Sequence, residues 1–327
     1  MNIKNIITKL EENNLKGRGG ANFPTGLKWK MVKEIKAEKK YIICNASEGE
    51  PDVFKDGFIL ENYPEEVISG IKIALETIDN SSAYLYISKD YYRKFKKDLE
   101  KLIGKHPITL LKKTGGYLAG EETSICEVIE GKRIEPRIRP PFPSQSGLWH
   151  CPTLINNVET FYCVAKIAKN EYNKTRFYSI NGDAENEGVY ELPEDYSISR
   201  ILKETKNWPD FDFFVQSGGG IAGEILLPNE LDQMIKGTGS IIVFNRKQTD
   251  LFSLMEKWIN FLIEENCDKC IPCREGTYRI AEMIKKKKID KKILDDLFFV
   301  LEESSFCALG KGVASPIRGV ITKLLNE

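Results

Sequence analysis

The stretch PEEVISGIKIALETIDNSSAYLYIS, residues 64–88, places two patterns side by side that decide a fold class. Its first fifteen residues carry apolar side chains at helical spacing. AYLYIS, at 83–88, is a short run of the aromatic and branched residues that favour a strand. A second such run, YIICN at 41–45, precedes it, and a helical stretch at 90–103 leads on to the strand-like PITLL at 107–111. Strand, helix, strand, helix, strand is the order of a doubly wound α/β sheet, which takes ligands at the carboxyl ends of its strands. Two glycine-rich turns fall close to such places: GRGGANFPTG (17–26), ahead of a helix, and TGGYLAGEET (114–123), after PITLL. The run RIRPPFPSQSGLWHCPT (137–153) holds four prolines, too many for a helix or a central strand, and reads as an ordered loop or covering arm.

Beyond about residue 175 the pattern changes. RFYSING, GVYEL, FDFFVQSGG and SIIVFN are short strands with one helical stretch, SISRILKET, between the second and third, which suggests a small β-grasp (ubiquitin-like) domain. From 249 onward four segments carry apolar residues at helical spacing, enough for a four-helix bundle. The expected division is an α/β domain over 1–172, a β-grasp domain over 173–247 and a helical bundle over 248–327.

The 48 basic and 48 acidic residues cancel, so the chain offers no general attraction to polyanions and nucleic acid is not an expected partner. No apolar run reaches the roughly 18–20 residues that span a bilayer, and the first residues lack the apolar core of a signal peptide. The expected location is cytoplasmic, at most peripheral to a membrane complex, with no direct membrane insertion. In a reducing compartment eight cysteines point to metal or redox chemistry before disulfides.

ENCDKCIPCREGT, at 265–277, spaces Cys267, Cys270 and Cys273 at intervals of three, and Cys307 follows between the third and fourth helical segments. Four thiolates in this pattern suit a 4Fe-4S cluster. Structural zinc, which more often takes paired Cys-x2-Cys hooks, and unligated thiols remain the competing readings. Cys44, Cys126, Cys151 and Cys163 are scattered and read as small buried apolar groups. His106 and His150 are isolated. In GRGGANFPTGLKWK bare backbone amides suit a phosphate, with Arg18 or Lys28 supplying charge, although turns also need glycine. The adjacent acids in GEET (120–123) read equally well as stabilisers of a helix start.

Taken in order, GRGGANFPTGLKW, CNASEGEP followed by FKD, GGYLAGEET, PPFPSQSGLW, PTLINNVET, CDKCIPCREG and SFC closely resemble the NADH-binding flavoprotein subunit of respiratory complex I, from about residue 15 to the end. The same module occurs in NAD-reducing hydrogenases, NAD-dependent formate dehydrogenases and electron-bifurcating enzymes. The resemblance implies a Rossmann-like FMN-binding domain, a β-grasp domain and a four-helix bundle holding a 4Fe-4S cluster on Cys267, Cys270, Cys273 and Cys307. It implies that Gly17, Gly19 and Lys28 cradle the FMN phosphate, with Asn45, Tyr117, Gly120, Glu121, Asn156 and Asn157 along the rest of the flavin. For NAD(H), it implies Phe23 and Phe142 around the adenine, Glu122 and Arg139 at the ribose, and Glu48 and Glu50 near the nicotinamide half.

The sequence departs from the family pattern at Ser47, usually aspartate, at Met31, at Ala119, often cysteine, and at Arg139, commonly lysine. A guanidinium near the ribose weakens the case for strict rejection of a 2′-phosphate. The implied activity is an NADH:acceptor oxidoreductase, in which FMN itself carries the chemistry and no side chain acts as a catalytic acid or base. The implied partners are a small thioredoxin-like 2Fe-2S subunit and a larger iron-sulfur subunit. A hydrogenase, formate dehydrogenase or bifurcating complex is the first alternative, and a non-catalytic cluster-holding scaffold the second.

Overall fold

A computed structural model describes residues 5–325 of the chain, which pack into two compact units. The first comprises residues up to Gly49 together with Phe54–Phe177; the second comprises Glu50–Val53 and Tyr178 onward.

The first unit is built on four parallel strands, β1 (Lys40–Ala46), β2 (Ser81–Ile87), β3 (Ile108–Lys112) and β4 (Thr153–Asn157), in the spatial order β3-β2-β1-β4. Alternation along the strands sends Ile43, Tyr86 and Ile155 to one face, where Ile125 and Cys126 of the helix Glu122–Ile129 pack on them. The opposite face presents Ile42, Cys44, Leu85 and Leu154, all fully buried, and the helices Pro64–Thr77 and Val158–Ala168 lie along that side. Those two helices approach so closely that a Cβ on Gly70 would stand 2.1 Å from the carbonyl oxygen of Phe161, so only glycine fits that crossing. Pro64 opens its helix at a position where the missing N–H costs nothing.

The three strands read from the sequence appear within one or two residues of their expected bounds. β4 goes unannounced by the sequence pattern, and it changes the topology. Chain order runs from β1 outward through β2 to β3, and β4 then returns to the other side of β1. A parallel sheet whose order reverses in this way leaves a crevice at the carboxyl ends of the two strands flanking the reversal, here β1 and β4. The proline-rich arm carries one helical turn, Pro143–Ser146, opened by a proline at its first position.

The second unit holds a five-stranded mixed sheet formed by β5 (Thr175–Gly182), β6 (Gly188–Pro193), β7 (Phe213–Ser217), β8 (Glu224–Leu226) and β9 (Ser240–Asn245), ordered β6-β5-β9-β7-β8. β5 and β9 run parallel, and β7 is antiparallel to both β9 and β8. Ile198, Ile201 and Leu202 of the helix Ile198–Glu204 join Tyr178, Val215 and Val243 of the sheet in one buried cluster. Five helices follow: Leu251–Glu264, Ile271–Lys285, Lys291–Ser304, the short Ala308–Gly312, and Ala314–Lys323. Asp250 and Asp290 cap two of them by accepting hydrogen bonds from first-turn amides. Trp258, Ile280, Phe298 and Ile317 are buried among them. Among the described residues no helix is long and apolar enough to cross a membrane.

Candidate functional site

The crevice at the carboxyl ends of β1 and β4 is lined by three asparagines. Asn45 pairs in register with Asn157, and Asn156 with Cys44. The Asn45 amide donates to the carbonyl of Gly120 at 3.0 Å, and its oxygen accepts from the backbone N–H and the hydroxyl of Ser47. Asn156 accepts from the indole N–H of Trp29 at 3.0 Å. Asn157 caps the helix Val158–Ala168 through the N–H of Glu159, and its amide donates to Asp56 at 2.6 Å.

The glycine-rich turn 17–20 folds against these asparagines. The N–H of Gly17 donates to the carbonyl of Phe23 at 2.8 Å, closing the turn ahead of the helix Thr25–Glu34. A Cβ on Gly19 would stand 3.2 Å from the Asn157 Cβ, so the bare backbone is what lets the turn come this near. Arg18 does not offer its charge to the crevice. Its side chain is buried, its backbone N–H donates to the Thr160 hydroxyl and its guanidinium donates to the Tyr172 hydroxyl. Lys28 is the cation at the crevice: its ammonium donates to the Ile155 carbonyl of β4 at 3.2 Å and to Glu122 at 2.7 Å, and lies 5.9 Å from the centre of the Phe23 ring.

Gly120 ends the short turn Tyr117–Gly120, and a Cβ there would reach within 2.5 Å of the Ser47 hydroxyl. Glu121 caps the helix Glu122–Ile129, accepting from the N–H groups of Thr123 and Ser124, so the helix-start reading of GEET holds for this acid. Glu122 lies half-buried between two cations, Lys28 and Arg139, whose guanidinium also pairs with Glu121. Phe23 and Phe142 both leave much of their rings open, at 40% and 49% exposure, as residues meant to stack on a planar ligand would.

Glu48 is held inward. Its carboxylate accepts from the N–H groups of Asp56 and Gly57, which open the helix Lys55–Asn62, and from the Tyr91 hydroxyl at 2.7 Å. Burial first, and then the Asp56 carboxylate, push its pKa from 4.5 up to about 7, against the opposing pull of Lys55 and these hydrogen bonds. An acid whose folded pKa is raised binds its proton more tightly in the native state. Its stabilising contribution is therefore complete below pH 4.5 and is lost as pH rises through about 7. Glu48→Gln is expected to flatten the decline in thermal stability between these two pH values, measured by melts in a buffer series. An unchanged pH profile would contradict this assignment.

Glu50 belongs to the second unit. Its carboxylate accepts from the N–H of Ile221 at 3.0 Å and sits against the glycine run 218–220, where a Cβ on Gly219 would meet it at 2.6 Å. Burial raises its pKa to about 6 in spite of the amides of residues 220–222.

One cluster beside the crevice carries no warning in the sequence. Lys55, 2% exposed in its side chain, donates to Asp56 at 2.6 Å, to Asn157 at 3.2 Å, and lies 3.1 Å from Glu159, which is completely buried. Burial alone would lower the Lys55 pKa, but Asp56, Glu159 and Glu48 together hold it above its ordinary value. FKD is visible as a motif, and nothing in composition or spacing marks its charges as buried.

In the second unit the other three cysteines of the motif all lie near enough to Cys273 to influence its thiol. Cys270 immediately precedes the helix Ile271–Lys285. Cys273 lies in the first turn of that helix, where Pro272 suits the start. Cys307 immediately precedes the short helix Ala308–Gly312. Burial, followed by the nearby thiols of Cys270, Cys307 and Cys267, pushes the Cys273 pKa up to about 12, so all four sulfurs lie within electrostatic reach. A Cβ on Gly310 would stand 3.3 Å from that of Cys273, and its absence leaves room beside the thiol. Among the described residues no three His, Cys, Asp or Glu side chains close around a single metal ion. Four soft sulfur donors without nitrogen or oxygen ligands fit an iron-sulfur cube.

The Nuo51 FMN-binding domain family matches residues 10–166, and the NADH-ubiquinone oxidoreductase-F iron-sulfur binding region matches 253–327. The second NADH-quinone oxidoreductase F protein of Rhizobium meliloti (strain 1021) is 31% identical, over 98% of this chain and 87% of that protein. The chain belongs to the NADH-quinone oxidoreductase F family. The NADP-reducing hydrogenase subunit HndC of Solidesulfovibrio fructosivorans is also similar, 31% identical over 98% of this chain and 75% of its own length. A solved NAD+-reducing [NiFe]-hydrogenase in its H2-reduced state superposes with a TM-score of 0.90 at 28% identity over 98% of this chain. The present chain spans 61% of that hydrogenase chain. The stretch matched to the FMN-binding domain includes the crevice of the first unit, and the stretch matched to the iron-sulfur binding region includes Cys267, Cys270, Cys273 and Cys307.

Proposed function

We propose that this chain is the NADH-oxidising flavin iron-sulfur subunit of a multi-subunit oxidoreductase, with FMN in the crevice at β1 and β4 and a 4Fe-4S cluster on Cys267, Cys270, Cys273 and Cys307. The observation that carries this reading is the combination, in one chain, of a switch-point crevice offering bare glycine backbone, three amides and one lysine with a separate set of four neighbouring thiols. Bound FMN supplies the exchange between two-electron chemistry on NAD(H) and one-electron chemistry at a cluster.

The chain's own residues bind and orient. Gly17 and Gly19 let backbone amides approach a phosphate, and Lys28 provides its counter-charge. Asn45, Asn156 and Asn157, with Tyr117, Gly120 and Glu121, surround the polar remainder of the cofactor. Phe23 and Phe142 offer ring faces to the adenine. Glu122 accepts hydrogen bonds from ribose hydroxyls, and its flanking cations Lys28 and Arg139 offset the repulsion it exerts on a 2′-phosphate. Glu48 fixes the loop that follows β1, on the nicotinamide side, by binding the amides of Asp56 and Gly57, and Glu50, within the second unit, binds the amide of Ile221.

We read residues 173–247 as a β-grasp domain and 248–327 as a four-helix bundle, after a Rossmann-like domain over 1–172. A small thioredoxin-like 2Fe-2S subunit and a larger iron-sulfur subunit are the proposed partners. The similarity to a hydrogenase subunit and to a hydrogenase structure favours a hydrogenase setting as the second reading.

Lys28→Met is expected to weaken FMN binding by about tenfold to a hundredfold, the equivalent of ~1.5–3 kcal/mol for a charge-assisted hydrogen bond. Titration of flavin-free protein with FMN, followed by fluorescence, reads this directly. Unchanged affinity would remove Lys28 from the site, and failure of the wild-type chain to bind FMN would defeat the proposed function.

A further inference from the structure

At the amino ends of β1 and β2, about 13 Å of strand away from the asparagines at its 3.3 Å rise per residue, the first unit has a second opening, a cavity of about 430 Å³. Its walls are the rings of Tyr41, Tyr84 and Trp149, and its rim carries Lys39, Ser82 and His106. A parallel sheet is normally covered on both faces by apolar packing. Here the face covered by the helix Glu122–Ile129 farther along is left open at Tyr41, Ser82 and Tyr84, where tyrosine and serine stand in place of the usual aliphatic residues. Ring centroids lie 5.0 Å apart for Tyr41 and Trp149, 6.2 Å for Tyr84 and Trp149, and 6.3 Å for the two tyrosines, with ring planes tilted 42–59° to one another, so the three form an angled aromatic wall.

Trp149 is set in place at a cost. Its backbone is left-handed, at φ 48° and ψ 38°, and His150 follows at φ 59°, a conformation that side-chain-bearing residues rarely adopt. The strain is held by Glu130, 2% exposed in its side chain, whose carboxylate accepts from the Trp149 N–H at 2.6 Å while receiving Arg137 at 2.7 Å. Arg137 also donates to the Gly147 carbonyl at the start of the same turn. A nearly buried ion pair thus fixes a tryptophan that remains 43% exposed beside the cavity. The charge at the opening has one sign: the Lys39 ammonium lies there, bonded to the Ser82 hydroxyl, and among the described residues no carboxylate lines the cavity.

We propose that this cavity binds a planar aromatic anion of the nucleoside phosphate class, its base stacked on the exposed Trp149 ring with a tyrosine edge beside it and its phosphate met by Lys39. The volume lies within the range of small-ligand sites, and an aromatic surface beside a cation supplies both halves of nucleotide recognition. The site is distinct from the crevice at β1 and β4, and it stands or falls independently of the function proposed for that crevice.

The test uses the full chain, loaded with FMN and cluster and free of NAD(H), with AMP as the probe in saturation-transfer NMR, and Phe23→Ala, in the coenzyme crevice, is compared with Trp149→Ala, at the cavity, to tell the two places apart. AMP is expected to bind under these conditions, and Trp149→Ala to weaken it by about tenfold or more. Lys39→Ala, at an exposed position that folding does not need, is expected to weaken AMP several-fold while leaving adenosine unaffected. Trp149→Ala and Lys39→Ala should both retain NADH oxidation. No AMP binding at millimolar concentration, adenosine binding as tightly as AMP, or AMP affinity untouched by these two variants would overturn the proposal. Loss of NADH oxidation in wild-type protein that still binds AMP at Trp149 would refute the crevice reading and leave this one standing.

Discussion

Cys273→Ser is expected to reduce bound iron and acid-labile sulfide from about four per chain to near zero. Cys273 is buried, lies in the first turn of the helix Ile271–Lys285, and has the other three thiols within electrostatic reach. Burial and the neighbouring thiols resist its ionisation, and since iron is bound by the thiolate, cluster assembly at this site must release protons. Serine offers a hard, poorly ionised oxygen in place of a soft thiolate. The first unit should retain its flavin, because the crevice asparagines and Lys28 are held by partners within that unit, while NADH-dependent reduction of one-electron acceptors that draw from the cluster should fall about a hundredfold or more, as expected when the cluster is not assembled. Cys163→Ser is the control: Cys163 lies buried within the helix Val158–Ala168, and its replacement should leave the iron content unchanged. Full iron loading of Cys273→Ser would contradict the assignment.

Lys55→Met is expected to lower stability by roughly 3–5 kcal/mol, because removing one partner of a buried ion cluster leaves its carboxylates uncompensated. The carboxylates here are Asp56 and Glu159, each within 3.1 Å of the ammonium, with Glu48 adding to the same field. A loss of that size corresponds to a fall in melting temperature of roughly 6–20 °C for a unit of this size. Adding Glu159→Gln to Lys55→Met should recover part of the loss, since one fewer negative charge is then left unpaired. A single variant melting within about 1 °C of wild type would show that the cluster contributes little. The effect should reach the crevice as well, because Lys55 and Asp56 grip the two ends of the Asn157 amide and so fix its orientation.

The sequence is most legible where physics is local. The helix at 64–77 and the strands β1, β2 and β3 announce themselves by period and residue type, and the cysteine trio by spacing. β4 escapes such a reading because Thr153–Asn157 is short, follows a proline and ends in two asparagines; pairing with β1, rather than its own propensity, makes it a strand. β8 has only three residues, and its pairing with β7 decides it. The buried Lys55, Asp56 and Glu159 are hidden for the opposite reason: charged side chains belong on the surface unless partners arrive from distant segments, and Glu159 lies more than 100 residues from Lys55. Arg18 and Glu48 show the same gap. Both are expected from sequence to face a ligand, yet both direct their side chains to structural partners, Tyr172 for one and Tyr91 with the start of the helix Lys55–Asn62 for the other.

The most direct measurement is an anaerobic titration of the reconstituted chain with NADH, followed by absorbance and by electron paramagnetic resonance. Stoichiometric FMN, bleaching of the flavin band at about 450 nm, and a reduced-cluster signal present in wild type and absent in Cys273→Ser are the expected results. A chain that binds no flavin, or whose flavin band is indifferent to NADH, would contradict it.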